Sequence, residues 1–432
     1  MNHNFFLIWL LLAFSLKTIS FADNIPANVR IISSGGTNLY HYSTSSDFVS
    51  VRIVILGGVN NYLKKYEGIE SLALDAMLVG GSKYYTQDSI RTIFEENHVQ
   101  IATMAGLDFS VIDFSCPQVL LENAWPVFIK LVCYPGFEEE SFKLTQVRYH
   151  KALSEAEKLP AEQLKRASFE RYLKGYPYER NPLGSLKSLS IISREMVVSY
   201  YQTLMTSSRL RILTSGNLTD STLTYLAKSF QDLPLGKFVN RPILNKTFSK
   251  SQTSGKQSVS STCTIRGLLS APSGSSADVL AVELLVALLQ DKITANLNGQ
   301  ATEISIGYLP GLQGIIVLEA ETYNPYGLAL LIQQQIQHVR SRMLPEELVT
   351  AKKKLLYRKT IEAFETGSGQ IYWLTQGVVY NQWMEVNQLE EKLQLITPEQ
   401  LQKLAKFWLI HWQWILSGNF SESIQQVFGK IP

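Results

Sequence analysis

The chain has 432 residues, of which 45% are hydrophobic and 11% aromatic, with 40 Lys and Arg against 37 Asp and Glu for a formal net charge of +3. Its length excludes a single small module, and its apolar content excludes wholesale disorder. The near balance of charge gives no support to a nucleic-acid or anionic-membrane partner.

Phe5 to Leu16 is a run without a charge, followed by Lys17 and then Ser20-Phe21-Ala22. This is the pattern of a secretory signal with small residues three and one before the cut, and it predicts residues 1–22 as a leader cleaved after Ala22. The run is shorter than the roughly 20 residues a membrane span takes; a retained anchor is the alternative. The remaining chain, about 410 residues, is long enough for two domains and is expected to be exported without stable membrane insertion. Cys116, Cys133 and Cys263 allow at most one bridge, with one thiol left over, and none lies in a Cys-x-x-Cys pair.

Residues 51–56 read as a β-branched strand, and residues 68–78 as a helix with Ile69, Leu72, Ala73, Ala76 and Met77 at three-and-four spacing. Residues 101–115 alternate into a strand or hairpin. A helix over 119–134 follows, in which Cys133 reads as a core thiol, and then a long polar helix over 138–173. Ser193 is an N-cap for a helix through Leu204, and a strand over 210–214 ends in Ser215-Gly216-Asn217. The same run returns in the second half. Ile192-Ser193-Arg194-Glu195 corresponds to Ile396-Thr397-Pro398-Glu399, and Ser215-Gly216-Asn217 to Ser417-Gly418-Asn419. The offset drifts from 204 to 202 residues between the two matches, so a two-residue deletion inside the helix or its following turn accounts for both. The chain therefore reads as two similar halves.

Residues 246–262 hold nine Ser or Thr and three Lys, a linker composition. The expected organisation is a leader at 1–22, a first half at 23–240, a linker at 241–257 and a second half at 258–432. The expected class is α+β, each half a mainly antiparallel sheet packed against helices. The aromatic end, Phe407-Trp408 to His411-Trp412-Gln413-Trp414, reads as packing against the sheet, with a contact surface for a partner subunit as the sharper alternative.

Gly68-Ile69 to Gly80-Gly81-Ser82, then Lys83-Tyr84-Tyr85, Tyr176-Pro177-Tyr178 and Pro182-Leu183-Gly184-Ser185 resemble, in that order, the insulinase-like (pitrilysin) zinc peptidases. The stretch from Leu344-Pro345-Glu346 to Glu365-Thr366 resembles the long helix of their second half. The resemblance covers nearly the whole chain after the leader and implies the insulinase-like fold. It also implies an inverted motif, His-x-x-Glu-His, whose two histidines share a helical face and bind zinc while the Glu activates a water.

This sequence departs from that motif. Ser71 stands at the first histidine, Leu74 at the general base and Asp75 at the second histidine. Counting the family's spacing to the third ligand reaches His150 and Lys151, with Glu155 and Glu157 nearby. The six histidines are nowhere closer than 38 residues apart. Asp75, His150 and Glu155 remain as the set for an unconventional zinc site.

Some family members pair a zinc-bearing subunit with one that binds the substrate backbone through an Arg and a Tyr. In the matching stretch Asn298 stands where the Arg is expected and Ile304 near the Tyr, with Tyr308 four residues late. Asn298 and Tyr308 are thus the candidate substrate-binding residues. Gly299, Gly307, Gly311 and Gly314 read as turns and bulges, or as a mobile loop like the family's glycine-rich one. The resemblance implies a non-catalytic subunit with no metal of its own, paired in a heterodimer with a catalytic insulinase-like subunit that carries the zinc. Its substrate would be a peptide or unfolded protein, and its compartment the periplasm if the source is Gram-negative. The alternatives are an active metalloendopeptidase with non-standard ligands and a solitary peptide-binding or scaffold protein.

Overall fold

The computed structural model describes residues 25–238, 246–342, 345–364, 367–383 and 386–432. The expected leader, residues 241–245 of the expected linker, and Leu344, Glu365 and Thr366 of the long-helix match lie outside the described residues.

Eleven described strands form two sheets. The first holds β1 (Val29–Ser34), β2 (Thr37–Ser43), β3 (Phe48–Leu56), β4 (Gln100–Ala105), β5 (Phe109–Pro117) and β6 (Leu210–Gly216), in the order β1-β2-β6-β3-β5-β4. The second holds β7 (Gln252–Gln257), β8 (Cys263–Ala271), β9 (Glu303–Pro310), β10 (Gly314–Thr322) and β11 (Gln413–Gly418), in the order β7-β11-β8-β10-β9. Neighbours are antiparallel except β2 with β6 and β7 with β11, which are parallel. The architecture is α+β, and apart from β1 the two sheets correspond strand for strand.

That correspondence corrects the reading of 241–257 as a linker, because Gln252–Gln257 is β7, the counterpart of β2. Its polar composition fits an edge strand, with most of its side chains exposed or half-exposed. The polar helix expected over 138–173 is two helices, Glu139–Ala156 and Pro160–Tyr172. Pro160 cannot donate to the preceding turn and instead starts the second helix. The repeated helices Arg194–Leu204 and Pro398–Trp408 have equal length, and Ser193 and Thr397 accept the N–H of Met196 and Gln400. The two-residue shift therefore lies after the helix: the turn from Trp408 to Gln413 is one residue shorter than that from Leu204 to Leu210, and β11 is one residue shorter than β6.

The halves interlock. Helix Pro160–Tyr172 of the first half packs on β8 and β11, and helix Gly367–Tyr380 of the second half packs on β3 and β6. Each sheet thus has its own helices on one face and a helix from the other half on the opposite face. This is why β3 and β6 are buried on both sides, with Val54 and Leu213 meeting Ile371, Trp373 and Leu374. In the second core Trp412 and Trp414 stack with ring centroids 4.7 Å apart. Gly267, opposite Trp414 on β8, makes room for them, since a Cβ there would lie 2.4 Å from the Trp414 ring. The three cysteines are free thiols, Cys116 and Cys263 buried and Cys133 half-buried.

Candidate functional site

Helix Ile69–Val79 starts at Gly68, whose φ of 87° is left-handed. A side chain there would place its Cβ 2.7 Å from the Gly184 Cα, so the two glycines let the turn after Pro182 close onto the helix start. Ser71 Oγ uses that closeness and donates to the Pro182 carbonyl at 2.7 Å. One turn on, Asp75 faces β4. Its Oδ1 accepts from Thr103 Oγ1 at 2.6 Å and its Oδ2 from Tyr149 Oη at 2.9 Å, with Arg148 at 3.6 Å. Leu74 is fully buried in the first core.

Ser71, Asp75 and Tyr149 therefore come together, and burial followed by the Asp75 charge pushes the Tyr149 hydroxyl well above its ordinary range. The residue that helix Glu139–Ala156 delivers is Tyr149, not His150, which makes no hydrogen bond or ion pair among the described residues. Successive helical side chains point about 100° apart, so counting residues reached the right turn but the wrong face. Glu155 pairs with Lys158 and Glu157 with Arg166, both away from Asp75. Asp75, His150 and Glu155 are thus not assembled, and among the described residues no group of three His, Cys, Asp or Glu is placed to hold a metal ion.

Glu67, Glu70 and Asp108 are buried carboxylates that escaped the sequence reading, and the last two hold the larger hydrogen-bond sets. Glu70, beside Ser71, is fully buried and accepts from Ser110 Oγ, from Tyr200 Oη and, at 3.1 Å, from Asn61 Nδ2. Burial raises its pKa against those bonds and the Arg209 charge. Asp108, in the turn between β4 and β5, joins the halves. It accepts from Tyr178 Oη at 2.5 Å, Tyr380 Oη at 2.7 Å and Leu312 N at 2.8 Å, and its pKa is likewise raised by burial. Glu70 lies inside the Gly68 to Gly80 stretch, next to Ser71, without a place in the zinc motif; Asp108 stands in no local motif, and its one trace was Tyr178, inside the Tyr-Pro-Tyr stretch.

The structure does not bring Asn298 and Tyr308 together. Asn298 lies exposed in the left-handed turn before β9, with φ 45°, while Tyr308 lies toward the other end of that strand. Tyr308 faces the helix layer and donates to the Pro272 carbonyl at 2.6 Å, so its hydroxyl is spent inside the fold. The alternate residues Ser305, Gly307 and Leu309 instead line a groove of about 510 Å³ beneath helix Pro160–Tyr172. At its floor Arg266 is buried, bonded to Ser168 Oγ at 3.1 Å and paired with Glu319; burial pushes its pKa down to about 10.

No family model and no curated protein matches this sequence. Solved structures do match. A peptidase M16 inactive domain from Pseudomonas fluorescens superposes with a TM-score of 0.83 at 18% identity, over 91% of this chain and 99% of that one. A protease from Helicobacter pylori gives 0.80 at 12%, over 90% and 99%. The periplasmic protease PqqL from Escherichia coli gives 0.77 at 14%, over 92% of this chain but 46% of that one, so this chain spans about half its length. At these identities the likeness is one of architecture, and the chain has the insulinase-like peptidase fold.

Proposed function

We propose that this chain is a catalytically inactive insulinase-like peptidase homologue that holds peptide for a separate zinc-bearing subunit. The observation that carries the reading is the hydrogen-bonded set Ser71, Asp75 and Tyr149 at the places of the zinc ligands, with Leu74 at the place of the general base. An aliphatic side chain in the core takes no proton from a water, and both Asp75 oxygens already accept hydrogen bonds. The likeness to an inactive M16 domain and to half of a longer periplasmic protease supports the pairing and an exported location. Among the described residues no helix is long and apolar enough to cross a membrane.

The test is purification of the chain alone and from its native source, with metal content and peptide hydrolysis measured on both. The reading expects a second chain in the native complex, with zinc and chelator-sensitive hydrolysis found only there. Chelator-sensitive hydrolysis by the lone chain overturns it. Peptide binding by a native preparation that contains no second chain means a solitary binding protein.

A further inference from the structure

β7, the strand at the β11 end of the second sheet, is the counterpart of β2. Its Gln257 lies opposite Gly418 as Ser43 lies opposite Gly216, so Gly255 matches His41 and Thr253 matches Leu39. In the first sheet β1 runs along the far side of β2, pairing Ile32 with Leu39 and Arg30 with His41. No described strand takes that place beside β7. The chain before β7 is used otherwise. The Lys246 carbonyl accepts from Ser270 Oγ at 2.7 Å and the Phe248 N–H donates to the same oxygen at 3.1 Å, so the backbone crosses the end of the sheet instead of running along β7.

The bonds that β7 makes inward fix which groups it leaves outward. Gln252 N and Ser258 N donate to the Trp412 and Gly418 carbonyls, both at 3.0 Å, and in a parallel ladder every second residue of a strand serves the same neighbour. Thr253, Gly255 and Gln257 therefore turn their N–H and C=O groups away from β11, and Gly255 and Gln257 are exposed.

A basic patch frames this edge, in a chain whose overall charge is nearly balanced. Helix Pro160–Tyr172 ends against β7, with Tyr172 Oη 3.0 Å from Ser254 Oγ, which brings Arg171 and Lys174 alongside. Lys246 Nζ lies 4.7 Å from the centre of the Tyr176 ring, Lys250 leads into the strand, and Lys256 shares a face with Ser254. All but the half-buried Lys246 are exposed, and none of the five has an ion pair among the described residues. Carboxylates near them are engaged or turned elsewhere. Glu170 lies 3.4 Å from Lys64 and 3.8 Å from Arg166, and Glu179 accepts the Gly175 N–H at 2.7 Å. Glu422 starts helix Glu422–Gly429, which packs on the opposite face of β7, where the Phe420 ring covers Gly255.

Lysines on an edge strand turn away strands that cannot answer their charge. Two copies of β7 laid antiparallel about Gly255 would set their Lys256 side chains diagonally on one face and bring two basic patches together, so the edge disfavours a second copy of this chain. We infer that β7 takes an extended acidic segment of another protein, added as a strand about 4.8 Å outside it in the place that β1 holds on β2. The added backbone meets Thr253, Gly255 and Gln257, and its Asp or Glu side chains on the Ser254 face meet the patch. Charge then sets the preference, which weakens as salt rises. The surface goes beyond the peptide-holding reading and does not depend on it, because its occupant is a docked partner and not a substrate.

The experiment is fluorescence anisotropy with the full chain and labelled short peptides of Thr alternating with Glu, Gln or Lys, together with hydrogen exchange and co-sedimentation with phosphatidylglycerol vesicles. The Glu peptide is expected to bind about tenfold more tightly than the Gln peptide at low salt, and the Lys peptide least. Lys250→Gln with Lys256→Gln is expected to bring the Glu peptide down to the affinity of the Gln peptide. Gln257→Pro removes one outward N–H without changing charge and is expected to weaken the Glu peptide about tenfold. Bound Glu peptide should slow exchange of the Gly255 and Gln257 amides in the unmodified chain, which gives the same answer if the proline variant unfolds. Equal binding of the Glu and Gln peptides, or a preference that survives the double lysine variant, overturns the acidic selection. Binding without protection of Gly255 and Gln257 overturns the edge as the site. Vesicle binding without Glu-peptide binding assigns the patch to an anionic membrane and overturns the protein partner.

Discussion

Arg266 on β8 donates its Nε–H to Ser168 Oγ at 3.1 Å, reaching from the second sheet into the exchanged helix of the first half. The same contact exists in the other direction, where Arg52 Nη1 on β3 donates to Thr375 Oγ1 at 3.2 Å on the exchanged helix of the second half. Each arginine also pairs with the carboxylate opposite it on the next strand, Glu319 for Arg266 and Asp113 for Arg52. The duplication thus extends to two partly buried polar clusters that fasten the halves to each other. Arg266→Ala removes a buried guanidinium that bonds Ser168 and pairs with the half-exposed Glu319, and should lower stability by about 2 kcal/mol. Ser168→Ala, which keeps the ion pair, should cost about 1 kcal/mol. Urea titration of both variants checks this, and an Arg266→Ala midpoint equal to that of the unmodified chain refutes it.

Asp108 is the acceptor at another junction between the halves. Asp108→Ala leaves the Tyr178 and Tyr380 hydroxyls and the Leu312 N–H without their acceptor, an expected loss of about 3 kcal/mol. Tyr380→Phe removes one donor and leaves the rest, and should cost about 1 kcal/mol. Thermal unfolding of the two variants should show the larger shift for the carboxylate.

His41, on β2, is 1% exposed, and burial followed by the Arg30 charge depresses its pKa from 6.5 to about 4. The unfolded chain binds this proton at higher pH than the folded one. The stability contributed by the neutral ring is therefore fully present above pH 6.5 and is lost as pH falls from 6.5 through about 4, a loss of about 3 kcal/mol. His41→Asn should remove the slope of one proton from that window. An unchanged slope in the variant would assign the acid sensitivity to other groups.

Gly267 gives the tightest test of the second core. Gly267→Ala drives a Cβ to 2.4 Å from the Trp414 ring and should cost about 2 kcal/mol or more, whereas Gly307→Ala meets nothing within 4 Å and should be tolerated. Denaturation followed by tryptophan fluorescence separates the two.

Tyr149 stands where the third ligand of a zinc site would come from. Ser71→His, Asp75→His and Tyr149→Glu made together should create a chain that retains stoichiometric zinc after dialysis, read by mass spectrometry. The same two histidines with His150→Glu in place of the Tyr149 change should retain none. Zinc retention by the second variant and not the first would mean that the helix delivers position 150 instead.

What the sequence by itself determined was local and periodic. The N-caps at Ser193 and Thr397, the duplicated Ser-Gly-Asn strand ends, and the Ser71, Leu74 and Asp75 substitutions depend on residues within one or two turns of each other, and these are legible without a fold. The duplicated α+β class followed from them. Only the tertiary structure decided which helix covers which sheet, because nothing local in either exchanged helix names the sheet of the other half, and the choice is made by packing. It also decided that Tyr149 rather than His150 meets Asp75, a question of about 100° of helical rotation that spacing along the chain does not resolve. Gln252–Gln257 read as linker because an edge strand gains its order from the hydrogen bonds of its neighbour β11, which lies more than 150 residues away in the chain. Asn298 and Tyr308 came from one short stretch of sequence, but most of β9 separates them, and its alternation turns Tyr308 into the fold and the Glu303 side chain toward the groove.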